Sequence, residues 1–94
     1  MQTPATPTVA DRITIRLNDL LEPSRLEVVN DSHHHRGHMG DDGTGETHFS
    51  VAVESSRFTG LNRVQRQRLV NQALADLLAT RIHALSIKAT APGE

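Results

Sequence analysis

The chemistry open to this chain is concentrated in its histidines. Of the six, His33, His34, His35, His38 and His48 fall between Asn30 and Phe49, and His83 lies near the C-terminus. Neutral imidazole ligates Zn, Cu, Fe or Ni, so the tract His33-His34-His35-Arg36-Gly37-His38 could bind a transition metal. The plainer alternative is a polar loop that happens to be rich in histidine, and spacing alone leaves both open. The tract is interrupted by Gly37, Gly40, Gly43 and Gly45 and made acidic by Asp31, Asp41, Asp42 and Glu46, with Met39 its one sizeable apolar side chain. So polar a stretch buries too little surface to offset the entropy of ordering it. It reads as a long surface loop, a class that is usually functional or disordered.

Other chemistries are narrowed or excluded. The chain has no cysteine, so it offers no disulfide, no thiol nucleophile and no thiolate ligand. An iron–sulfur site would need thiols from a partner. Asp41-Asp42-Gly43-Thr44-Gly45-Glu46 matches neither the EF-hand spacing nor a dinucleotide fingerprint, and reads as a turn with solvated carboxylates. No nucleophile elbow frames any serine, so the chain is not expected to be an enzyme. Net charge is −1 over 94 residues, which advertises neither nucleic acid nor membrane. Arg57, Arg63, Arg66 and Arg68 nevertheless cluster without an intervening acid. They could contact phosphates, or form a solvated helix face paired with the acidic loop. No aromatic residues are interleaved for base stacking. No apolar run approaches the ~20 residues of a membrane span, and no secretory signal is visible. A soluble cytoplasmic protein is expected.

The elements that must position these residues follow from periodicity. Thr8 and Asp11 fit a capping box, and Val9, Ile13, Leu17, Leu20 and Leu21 then recur at helical spacing up to Pro23, with Ile15 off that face. Leu26-Glu27-Val28-Val29 predicts a strand over 25–30. From Thr47, Phe49, Val51 and Val53 alternate with His48, Ser50 and Ala52 as in a half-buried strand. Phe58-Thr59-Gly60 is a turn. Val70, Ala73, Leu74, Leu77 and Leu78 form an apolar stripe that would run backward through Arg63 and Arg66. That conflict predicts a short helical turn over 61–64, a break, and a main helix over 65–79. A third strand over 82–89 puts His83 in phase with Leu85 and Ile87 on the helix-covered face, and Ile82, Ala84, Ser86 and Lys88 on the other, open face.

The order is α-β-β-α-α-β, an α+β class with a three-stranded mixed sheet and helices on one face. Residues 1–7 read as a disordered lead-in, 8–90 as the domain and 91–94 as a tail. The first two strands pair antiparallel; the helical crossover makes the second and third parallel and right-handed. The histidine loop and His83 then meet at one end of the sheet. Parity along the strands points His48 to the opposite face from His83, which makes those two a poor pair and favours His33, His34, His35 or His38 as partners of His83.

These segments together resemble the BolA-like proteins. The matching stretches are Leu26-Glu-Val-Val-Asn-Asp-Ser32, Glu46-Thr-His-Phe49, Val51 to Leu61, Gln65-Arg-Gln-Arg-Leu-Val-Asn71 and Ile82-His-Ala-Leu-Ser-Ile-Lys88. The resemblance covers nearly everything from residue 9 to 90, and implies a fold like the type II KH domain. It also implies partnership with a monothiol CGFS-type glutaredoxin, in a complex sharing a [2Fe–2S] cluster. The glutaredoxin cysteine and glutathione would supply sulfur, and this chain histidine. The family's last-strand histidine falls on His83 and its variable-loop ligand on His35, with His33, His34 and His38 as alternatives. No cofactor is expected in the isolated chain, which would be a monomer or weak homodimer. Histidine in place of thiolate raises a cluster's potential and makes ligation proton-sensitive. The family also includes transcriptional regulators, which implies a second reading, DNA binding through Arg63, Arg66 and Arg68. Gly60-Leu61-Asn62-Arg63 does not preserve the GxxG clamp of RNA-binding KH domains.

Overall fold

The computed structural model describes residues 8–31 and 47–94. Helix α1 spans Val9–Leu21, strand β1 Arg25–Asn30 and strand β2 His48–Glu54. A 3-10 turn, Ser56–Phe58, leads to helices α2, Arg63–Ala73, and α3, Ala75–Thr80, and the chain closes with strand β3, Ala84–Thr90. The sheet order is β1-β2-β3, with β1 antiparallel and β3 parallel to the central β2. This is the α+β, α-β-β-α-α-β arrangement expected from the sequence.

The first helix forms where its signals place it. Asp11 N donates to Thr8 Oγ1 at 3.0 Å and Thr8 N to Asp11 Oδ2 at 3.1 Å, satisfying two of the helix's orphan donors. Val9, Ile13, Leu17 and Leu21 are buried, whereas Leu20, which the sequence places on the same stripe, stays 52% exposed. Glu22 stops the helix in a left-handed conformation (φ 45°), and its N–H donates to Asn18 O. Just beyond, the fully buried Ser55 donates its hydroxyl to Leu21 O at 2.6 Å and accepts from Arg57 N at 3.1 Å. One side chain therefore caps the end of α1 and the start of the 3-10 turn.

The core lies between the helices and one face of the sheet. Phe49, Val51 and Val53 of β2 pack with Ile13 and Leu17 of α1, with Phe58, and with Val70, Ala73, Leu74 and Leu77. Leu26, Val28, Leu85, Ile87 and Ala89 flank them from the edge strands. Phe49 and Phe58 are the largest buried side chains; each contributes roughly 1.5–3 kcal/mol by leaving water.

The second helical region differs from expectation. Its break falls at Leu74 (φ −111°, ψ 14°), whose N–H bonds to both Val70 O and Asn71 O, and not near 61–64. Helix α2 begins at Arg63 behind a second capping box, in which Gln65 N donates to Asn62 Oδ1 at 2.9 Å and Asn62 N to Gln65 Oε1 at 3.0 Å. Arg66 occupies its inward-leaning position because every face of its guanidinium finds oxygen. Nε donates to Leu61 O at 2.9 Å, Nη1 to Ala89 O at 3.3 Å, and both terminal nitrogens reach the Glu94 carboxylate at 2.5 and 2.6 Å. A paired arginine can stand where an unpaired one could not. Residues 91–94, read as a tail, fold back for this contact, and Ala91 is buried.

Candidate metal centre

The end of the sheet where β2 and β3 begin is organised by Thr47. Its carbonyl accepts from His83 N at 2.7 Å and Ala84 N at 3.2 Å, starting the parallel ladder that continues as His48 opposite Ala84 and Phe49 opposite Leu85. Its hydroxyl lies 2.8 Å from His48 Nδ1. Asp31 N donates to His48 O at 2.8 Å, so β1 delivers the chain into the histidine-rich stretch at this same end. Asp31 also accepts from the Ser50 hydroxyl. A shallow depression of about 220 Å³ here is lined by Asp31, His48, Phe49, Ala84, Leu85 and Ser86.

His83 is exposed and His48 is buried, with 6% of its surface accessible. Their ring centres nevertheless lie 5.4 Å apart, with the planes tilted by 49°. This overturns the expectation that His48 and His83 are a poor pair. Parity holds only inside a pleated strand, and β3 begins at Ala84, one residue after His83. Before that point the phase is different. Ile82, expected on the open face, is buried, and its N–H bonds to Leu77 O as part of the helix exit. His83, expected beneath the helices, faces outward. A visible clue is that Ile82 directly follows the polar Thr80-Arg81, so its apolar side chain fills the core from a turn and not from a strand.

The other expected site residues are placed as follows. His33, His34, His35 and His38 lie outside the described residues. Among the described residues no group of three or more metal-ligating side chains converges. Arg63 and Arg68 are exposed on α2. Arg66 is largely covered, with 13% of its side chain accessible, and is committed to Glu94. The charge-assisted bonds from Arg66, with a further bond from Ala91 N, hold the Glu94 carboxyl down at about 2. Of the clustered arginines, Arg66 and Arg57 find acidic partners on other elements, Arg57 pairing with Glu22 at 2.5 Å; elsewhere Arg16 pairs with Asp76, whose carboxyl is held below its ordinary value by that guanidinium.

Chemically, this end of the sheet offers nitrogen donors on a fixed frame. His83 presents an exposed imidazole to incoming chemistry. No helix among the described residues is long and apolar enough to cross a membrane.

A family model, BolA-like protein, matches residues 17–94, and the chain belongs to the BolA-like family. It is 48% identical over 79 residues to the DNA-binding transcriptional regulator BolA of Vibrio cholerae serotype O1, covering 84% of this chain and 71% of that protein. Among solved structures it is similar to BolA1 from Arabidopsis thaliana, with a TM-score of 0.83 and 39% identity, covering 95% of this chain and 98% of that one. It is also similar to the BolA domain of SufE1 from Arabidopsis thaliana, with a TM-score of 0.82 and 40% identity over 94% and 96% of the two chains.

Proposed function

We propose that this BolA-like chain is a non-enzymatic, cytoplasmic adaptor in iron–sulfur cluster handling. It binds a monothiol CGFS-type glutaredoxin and contributes imidazole ligands to a shared [2Fe–2S] cluster, whose sulfur ligands come from the glutaredoxin cysteine and glutathione. His83 is one ligand, and His35 or a neighbour among His33, His34 and His38 is the loop ligand. The observation that carries this reading is the exposed His83 at the sheet end into which β1 feeds the histidine-rich stretch. The chain's lack of thiols fits the division of ligands, since only nitrogen is left for it to give. The test is reconstitution with such a glutaredoxin and glutathione, followed by visible absorption and circular dichroism. His83→Ala is expected to change the spectrum of the heterocomplex; an unchanged spectrum rejects the assignment.

A second reading, DNA binding, is favoured by the name of the Vibrio cholerae relative. In this chain it would rest on the exposed Arg63 and Arg68, because Arg66 is held by Glu94. It requires an affinity that falls linearly with the logarithm of salt concentration.

A further inference from the structure

The distance between the His48 and His83 rings matches that of two imidazoles on one metal ion. In a metal–imidazole bond the nitrogen lies about 2.1 Å from the ion, and the ring centre lies roughly 1.2 Å behind the nitrogen. Two imidazoles on neighbouring corners of one tetrahedral ion therefore have centres about 5.4 Å apart. The observed separation is 5.4 Å, and the 49° tilt keeps the rings from stacking face to face.

The support around the pair is of the kind metal sites use. Ligating histidines usually have the second ring nitrogen fixed by a hydrogen bond, which sets the tautomer and the ring's orientation. His48 has this, with Nδ1 2.8 Å from the Thr47 hydroxyl. When Nδ1–H donates to that oxygen, the lone pair lies on Nε2. The same residue's carbonyl holds the backbone of His83 and Ala84. Thr47, itself buried, thus fixes the His48 ring and the backbone of His83 through one short piece of chain, which lowers the ordering entropy still to be lost on binding.

From this spacing we infer that His48 and His83 form a two-imidazole site, built into the folded chain, for one borderline transition ion of the Zn²⁺, Co²⁺ or Fe²⁺ kind. The remaining coordination positions belong to water or to a partner's ligands. The inference goes beyond the cluster reading and does not depend on it. Within that reading, it gives His83 a fold-anchored companion in His48, where a loop histidine was expected.

The test uses the full chain with His33, His34, His35 and His38 all changed to Asn, which leaves His48 and His83 as its two imidazoles. Zn²⁺ alone is titrated in while both rings are followed by ¹⁵N nuclear magnetic resonance. The expected result is that one equivalent shifts a nitrogen of both rings together. His83→Ala, at an exposed position that leaves the fold intact, should then weaken Zn²⁺ binding by about tenfold or more, since losing a ligand costs at least as much as losing an outer-shell partner. A shift confined to one ring, or an unchanged affinity in His83→Ala, overturns the inference. Cluster reconstitution of the unaltered chain with glutaredoxin and glutathione separates the two readings. Paired Zn²⁺ shifts without a cluster spectrum uphold the site and count against the shared cluster. A normal cluster spectrum without paired shifts does the reverse.

Discussion

Replacing Thr47 by valine isolates what the junction residue contributes. The substitution keeps the shape and the β-branch that suits a strand end, and it leaves the backbone carbonyl that anchors His83 and Ala84. What is lost is the hydroxyl 2.8 Å from His48 Nδ1, in a position where Thr47 is 3% and His48 6% accessible. Removing one partner of a buried hydrogen bond leaves the other to bear its desolvation, which costs about 1–3 kcal/mol. For a domain of this size, each kcal/mol lowers Tm by roughly 4–8 °C. Thermal unfolding of Thr47→Val should therefore fall by roughly 4–24 °C, with the sheet signal in circular dichroism intact. The ring should also lose its fixed tautomer, seen as movement of the His48 ¹⁵N shifts toward the average of the two neutral forms. An unchanged Tm together with unchanged His48 shifts would show that the hydroxyl does not hold the ring. The account of how His48 is oriented beside His83 would then fail.

Other perturbations separate structural from functional polar groups. Ser55→Ala removes the buried hydroxyl that donates to Leu21 O and accepts from Arg57 N; chemical denaturation should show a loss of about 1–3 kcal/mol, without a change in metal binding. The Glu94 carboxyl, held at about 2 by Arg66, has a folded-state pKa below its unfolded one. Its stabilising contribution is complete above the ordinary value of 4.5 and is lost as the pH falls toward 2. Acid unfolding curves of Glu94→Gln should lack that part of the decline, and curves parallel to the unaltered chain would contradict the pairing.

The sequence states most of the architecture openly because the fold rests on local signals that agree with one another. The Thr8 capping box, the Phe49-Val51-Val53 alternation and the polar break after Asn30 each define an element, and strand order follows from the crossover. Two features were not legible, for a shared reason. Arg66 looked incompatible with an apolar stripe, because its partners Glu94 and Ala89 O lie more than twenty residues away. His83 looked wrongly facing, because its direction is set by Thr47 O and by the Ile82–Leu77 exit, and not by the strand that follows. Periodicity carries information within an element. At an element's end, the direction of a side chain is decided by whichever distant group completes the backbone's hydrogen bonds.

That position at an element's end also suits His83 to the proposed adaptor role. A ligand inside the pleat would be tied to the core face or to the open sheet face, and a partner could reach it only by covering that whole face. One residue before the ladder, the imidazole is exposed while its backbone N–H is held at 2.7 Å by Thr47 O. It can be reached from outside without moving the fold. His48 is the complement, one residue into the ladder and almost wholly covered. In the proposed site, a buried, oriented imidazole beside an exposed one would supply half of a coordination sphere. The ordering cost of assembly then falls on whatever supplies the missing ligands. That is the arrangement which the proposed sharing of a metal group with a partner requires.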